Sequence, residues 1–249
     1  MSYSEHDKIL LPLTLFGIIC VASLLAVILR RKSVRVRSIP CACVAVALLF
    51  IEVIKQRWNI LGDFNYHFLP FHYCSMFLLF IPLAELCGPS LSRIFRPIAS
   101  CMAFSVSLGM YIYPKGMLSD SSELLGSDFY CTHSFIFHHL IVLYFVLVLA
   151  LRLCNPHFRD VLIVGGIGIL YNVTATPISY HFNSNYGNIL KSMIPILEKY
   201  RLDNGQAKYI ILLTILLALG TMLASSIYIA LQKLFALCFK GKKHSIPIQ

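Results

Sequence analysis

A histidine and a cysteine stand two residues apart behind a proline, in Leu69-Pro70-Phe71-His72-Tyr73-Cys74, where an apolar run begins. Hydrocarbon penalises polar and reactive groups, so a thiol and an imidazole carried into it call for a chemical reason. A thiol becomes a nucleophile when a nearby imidazole takes its proton. His138, in a later apolar run, is the expected base for Cys74; adjacent His139 points about 100° away on a helix of 3.6 residues per turn. The chemistry would be transfer of an acyl group from a lipid ester to Cys74, and then to a lipid or to water. Asn172, Asn185 or His72 would donate hydrogen bonds to the oxyanion.

The elements that must position these residues are membrane spans. Of 249 residues 58% are hydrophobic and only 13% charged, a balance foreign to a soluble core of this size. Apolar runs long enough to cross a bilayer recur near 9–30, 39–54, 68–87, 97–113, 132–153, 160–179 and 208–232. The expected fold is therefore an all-α bundle of about seven transmembrane helices, one polytopic domain over 1–249. The run Ile9 to Leu29 lacks a basic leader and a small-residue cleavage site, so it reads as a retained anchor span.

A net charge of +10 invites a nucleic-acid partner, and its distribution argues against one. Arg30, Arg31, Lys32, Arg35 and Arg37 follow span one, Arg93 and Arg96 follow span three, Arg152 and Arg159 follow span five, and Lys233, Lys240, Lys242 and Lys243 form the tail. That side carries 13 of the 21 bases and two of the 11 acids, Glu85 and Asp160. The pattern places the N-terminus outside and the C-terminus in the cytoplasm, with the basic side against anionic lipid. The partner expected is membrane lipid; the sequence does not speak to oligomeric state.

With that orientation, depths can be compared. Cys74 lies roughly 7–8 Å below the start of span three, His138 about 9 Å into span five, and Asn172 about 10 Å below the outer end of span six, at 1.5 Å per residue. Ser107, Thr214 and Thr14 come to a similar level. Beneath the outer surface there is thus one polar layer. The triplet Asn172-Val173-Thr174 has glycosylation spacing but lies inside a span, out of a transferase's reach.

Each of these residues also has an ordinary structural reading. A lone intramembrane histidine or cysteine is more often a packing or capping group than a catalyst. Most of the nine cysteines, such as Cys20, Cys41, Cys43 and Cys101, read as small apolar residues. Only Cys74 and Cys131 lie near the outer face, so a single disulfide between them is conceivable, but no thiol framework holds the fold. Glu52 reads as a span end paired internally with Lys55, and Glu85 as within reach of Arg93. The segment 114–131 reads as a solvated loop, and 180–207 as one lying at the interface or dipping toward the bundle.

Two further readings come from other classes. His72-x-Cys74, Cys131-x-His133 and His67 could serve a metal- or haem-binding protein, given irregular backbone there. A small-solute transporter is disfavoured by the lack of a mid-membrane charge pair or an inverted repeat. A retinal Schiff base is excluded in the last span, which has no lysine between Tyr209 and Gln232. Nothing in the chain calls for a cofactor.

The opening six residues resemble the YwaF family of bacterial integral membrane proteins, which also takes in a eukaryotic cysteine-dependent phospholipid acyltransferase. The family pattern is Leu-Pro, an apolar residue, His or Gln, an apolar residue and Cys at a span start, here Leu69 to Cys74. A histidine followed by aliphatics matches His138 to Val142, and an Asn-Tyr pair with a downstream proline matches Asn185-Tyr186 and Pro195. The resemblance implies a lipid-acyl enzyme in a bacterial cytoplasmic membrane, with Cys74 as nucleophile and His138 as its partner. His72, Asn172, Asn185, Tyr186 and His139 would be supporting residues. The chain departs from the pattern at His139, where a small residue is usual.

Overall fold

The computed structural model describes residues 5–114, 118 and 128–240, and the side chains of 9–114, 118 and 128–234. Most of the loop expected over 114–131 and the tail beyond 240 lie outside the described residues. Among the described residues nine α-helices follow in order: α1 Glu5–Leu29, α2 Val34–Arg37, α3 Ile39–Leu61, α4 Phe77–Glu85, α5 Pro89–Ile112, α6 Phe129–Ala150, α7 Phe158–Phe182, α8 Pro195–Asn204 and α9 Gln206–Lys240. No strand occurs among the described residues. Among the described residues six helices are long and apolar enough to cross a membrane, formed by α1, α2 with α3, α5, α6, α7 and α9.

Three expected spans differ from the folded ones. The second runs on to Leu61, because nothing from Val53 to Asn59 breaks a helix, so Lys55 to Leu61 belong to the helix and not to a linker. The fourth begins at Pro89, where a proline in the first turn loses no hydrogen bond, so Arg93 and Arg96 are helical too. The third, expected as one span over 68–87, is broken. Its helical part is a 3-10 turn, Tyr73–Met76, continued by α4, about 20 Å in all at α-helical rise.

Pro70 causes the break. It removes one backbone donor and holds Leu69 extended, at φ −64° and ψ 152°. His72 is extended as well, at φ −74° and ψ 154°, and serves as the N-cap of the turn. Irregular backbone at membrane depth survives only where its polar groups find partners.

The core is built where α3, α4, α5 and α6 meet, on Leu48, Phe77, Ile81, Met102, Ile141 and Leu147. On the other flank α7 packs closely on α9. A Cβ on Gly165 would lie 2.6 Å from Met222 Sδ, and one on Gly168 3.4 Å from Leu217. Small residues are how helices approach in lipid, where no hydrophobic force pulls them together. At one end of the bundle Arg96 grips Glu85 in two hydrogen bonds, Nε to Oε1 at 2.8 Å and an Nη2 to Oε2 at 2.7 Å. Tyr144 donates to the same carboxylate at 3.0 Å. The expected partner Arg93 is not used; Arg96, one turn further along α5, faces α4.

Candidate functional site

At the opposite end, the broken segment is held by residues from four elements. On α3, Glu52, Lys55, Gln56 and Asn59 stand at i, i+3, i+4 and i+7, one stripe of a helix. Asn59 Nδ2 donates to the Asn65 carbonyl at 3.1 Å, and Asn65 N–H returns a bond to Asn59 Oδ1 at 3.0 Å. Gln56 Nε2 donates both to Phe68 O at 2.9 Å and to Glu52 Oε1 at 2.7 Å. From α7, Tyr171 donates to Phe71 O at 3.0 Å. From the segment after α7, Tyr186 donates to Tyr66 O. Within the segment, His72 Nε2 donates to His67 O at 3.1 Å, and Phe71 N–H closes a tight turn on Leu69 O at 2.8 Å. Aromatic rings fill the gaps: Phe68 stacks on Tyr130 at 3.4 Å between centroids, and His72 lies edge-on to Tyr186 at 5.2 Å.

The result is an irregular stretch in which the carbonyls of Asn65 to Leu69 and of Phe71 accept hydrogen bonds, and which delivers Cys74 to the first turn of a short helix. Cys74 carries a free thiol, partly exposed, so the disulfide with Cys131 is not formed. The sulfur of Cys131 instead lies 2.9 Å from Asp128 Oδ2, in the cap of α6. Asp128 is held below the usual carboxylate range: its slight burial acts upward, and hydrogen bonds from the Cys131 thiol and the N–H groups of Cys131 and Tyr130 outweigh it. His67, outside the spans, lies below its ordinary value through desolvation and the nearby Lys55 ammonium.

A second cluster lies beside this stretch. Lys55 Nζ sits 2.8 Å from Glu52 Oε1, as expected for that pair, and His133 Nε2 comes to 3.5 Å from Glu52 Oε2. All three side chains are nearly buried. Lys55 and Gln56 are the site residues that sequence reasoning missed. Their signal was the 52/55/56/59 stripe, which an early end to span two had split.

The two histidines of α6 are not equivalent. His139 Nδ1 faces the Phe135 carbonyl at 2.7 Å and must carry the hydrogen, so Nε2 accepts from Thr14 Oγ1 at 3.0 Å. Both nitrogens are engaged, and the ring ties α6 to α1. His138 Nδ1 faces the Ser134 carbonyl at 2.8 Å, which leaves the lone pair of the neutral ring on Nε2. Asn172, buried, donates to Thr214 Oγ1 at 3.2 Å and so joins two residues of the expected layer. Ser107 turns back onto Ala103 O.

Asn185 and Tyr186 act on the backbone. Asn185 Oδ1 accepts from Leu190 N–H at 2.9 Å and Lys191 N–H at 3.0 Å, and its Nδ2 donates to Lys191 O at 2.8 Å. This shapes the loop that drives the fully buried Tyr186 against the broken segment. The amide of Asn185 is consumed by the loop and is not presented to Cys74.

Among the described residues no three His, Cys, Asp or Glu side chains converge as a ligand set. The His72 ring is turned onto His67 O and Cys131 onto Asp128, while residues two apart on a helix diverge.

No curated protein and no solved structure matches the chain. The TMEM164 family matches residues 1–229, nearly its whole length. With six apolar helices of spanning length, this is a multi-pass integral membrane protein, and the chain belongs to the TMEM164 family.

Proposed function

We propose that the protein is a membrane-embedded enzyme of lipid acyl groups, with Cys74 as nucleophile and His138 as general base, working near the outer leaflet. The observation that carries the reading is the break at Pro70. It sets a free thiol at the head of a half-helix, inside a bundle whose nearly buried Lys55, Glu52 and His133 pair with one another. A bilayer tolerates such groups chiefly where they function.

In the reaction, His138 Nε2 takes the Cys74 proton and the thiolate attacks the carbonyl carbon of a lipid ester. The ester C–O bond breaks, the lysolipid oxygen receives the proton, and a thioester remains on Cys74. An acceptor hydroxyl or water then gives its proton to His138, attacks the thioester and releases the thiolate. Asn172, with a second amide hydrogen to give, stays a candidate supporting donor, while His72, its Nε2 hydrogen given to His67 O, supports the site with Asn185 and Tyr186 by shaping the segment that carries Cys74. The orientation, N-terminus outside and C-terminus cytoplasmic, rests on the basic segments. The acyltransferase activity and the bacterial cytoplasmic membrane rest on the YwaF resemblance alone.

The test is lipidomics of cells expressing wild type, Cys74→Ala and His138→Ala, with acyl-thioester capture at residue 74. The reading predicts a lipid difference lost in both variants and an acyl group on Cys74. Identical lipid profiles in all three would sink it.

A further inference from the structure

Arg152 follows the last turn of α6 in the left-handed region, at φ +52°. Its N–H reaches Leu149 O at 3.2 Å, and the N–H of Leu153 reaches Val148 O at 3.1 Å, the two bonds that close a helix on a left-handed residue. Glycine takes that backbone without steric cost, whereas an arginine strains it. The arginine is exposed, so nothing in the core explains its side chain.

A second arginine reaches the same place from another element. Arg37, the last residue of α2, donates from Nη1 to the carbonyl of Leu151 at 2.9 Å, one residue before Arg152. That is the only hydrogen bond its guanidinium makes among the described residues. Arg30, Arg31, Lys32 and Arg35, all exposed, lead up to it. None of these six bases pairs with an acid among the described residues. The two acids expected on this side are engaged elsewhere, Glu85 by Arg96 and Asp160 by the N–H of His157 at 2.7 Å. Unpaired bases that are mostly arginine suit a phosphate, which the guanidinium fork matches in shape and charge.

Apolar side chains decide what carries that phosphate. α2 reads Val34-Arg35-Val36-Arg37, and its valines are 52% and 36% exposed. Ile28 near the end of α1 and Ile39 at the start of α3 are more than half exposed on either side of the bases. The span from Val34 runs 28 residues, longer than the roughly 20 that cross hydrocarbon, so its first turn stands at headgroup level. A soluble anion or a nucleic acid would leave those valines and isoleucines against water. A lipid covers them with its chains and brings its phosphate to the arginines.

We infer that this end of the bundle carries a discrete site for an anionic phospholipid, its headgroup phosphate held between Arg37 and Arg152. Bases at a span end attract anionic lipid in a general way; the two arginines that meet at Leu151 make a defined place for one. The site lies at the end that holds Glu85 and Arg96, away from Cys74, and is independent of the function proposed above.

An arginine after a helix also complements the macrodipole, which would make Arg152 a cap of α6 and nothing more. The experiment separates the two roles. The full chain in a zwitterionic detergent is titrated with phosphatidic acid, phosphatidylglycerol and phosphatidylcholine, and bound lipid is counted by native mass spectrometry. Both anionic lipids should saturate a site about tenfold or more tighter than phosphatidylcholine does, and glycerol 3-phosphate, a headgroup without chains, should not displace them. Arg152→Gly should weaken anionic-lipid binding about fivefold, the share of one base near an anionic lipid. Because glycine suits the left-handed backbone, the same variant should unfold in lipid-free detergent no earlier than the wild type. Arg93→Gln with Lys233→Gln removes two exposed bases elsewhere at that end and should weaken binding less than Arg152→Gly does. Equal affinity of the wild type for anionic lipid and phosphatidylcholine overturns the site, and that comparison needs no variant to fold. Wild-type binding by Arg152→Gly overturns it as well, and so does an equal or larger loss in the Arg93 and Lys233 variant, which would leave only diffuse surface charge.

Discussion

The hydroxyl of Tyr171, near the middle of α7, donates to the carbonyl of Phe71, a hundred residues earlier and within the broken segment. The same ring lies under Gly187, where a Cβ would come within 2.6 Å of the Tyr171 hydroxyl oxygen. Gly187 has φ +58°, so the loop after α7 needs glycine both for its backbone and for the room it leaves. One tyrosine thus couples that loop to the segment that carries Cys74.

Tyr171→Phe should therefore strand the Phe71 carbonyl and destabilise the protein by about 1–3 kcal/mol, the cost of an unsatisfied buried group. Gly187→Ala should cost about as much through left-handed strain, and more where it pushes Tyr171 away. Thermal unfolding in detergent measures both. Because the two changes strike one contact, their double variant should cost less than the sum. Full additivity would show that the contact does not exist.

The Arg96–Glu85–Tyr144 cluster predicts a different pattern. Arg96→Met alone leaves a carboxylate with 0% side-chain exposure unpaired and should cost about 3–5 kcal/mol. Pairing it with Glu85→Leu should recover much of the loss, since an apolar pair avoids the desolvation of both charges. Unfolding midpoints of the two single variants and the double decide this.

His139 and His138 should separate by readout. Thr14→Val and His139→Phe each remove the α1–α6 hydrogen bond, and each should cost about 1 kcal/mol of stability while acylation of Cys74 persists. His138→Ala should instead remove the acylation, with a comparatively small shift in melting. A variant set in which His139→Phe alone kills acylation would reverse the assignment.

Beyond the spans, Glu198 lies below the usual carboxylate range, at about 2, first because Arg201 hydrogen-bonds it and next because Ser192 N–H does. A depressed carboxylate stabilises the fold above its ordinary titration range, and that stabilisation is lost as pH falls through about 2. Protection of the Ser192 amide in hydrogen exchange should accordingly persist at pH values where an ordinary carboxylate is protonated. Arg201→Gln should move its loss upward toward the ordinary range. A pH profile unchanged by that substitution would remove Arg201 as the cause.

Composition and apolar run length were enough to establish the class, because a bilayer demands long apolar helices whatever the chain does elsewhere. Pro70 was legible as a local breaker, since a missing N–H acts on its own neighbours, yet the span over 68–87 was still expected whole. What the folded chain alone decided is pairing. Arg93 and Arg96 are one turn apart and chemically alike, and only the packing of α4 on α5 selects Arg96 for Glu85. His138 and His139 are adjacent, and only the position of Thr14 on α1 engages one and leaves the other with an open nitrogen. Asn185, expected as an oxyanion donor from its type, is taken up by backbone groups five and six residues later. The depth of the broken segment was also beyond the sequence, because Tyr171, Gln56 and Tyr186 hold it down from elements 12 to 120 residues away. Local chemistry is written in residue type; which groups meet depends on helices crossing, and only the tertiary structure contains that.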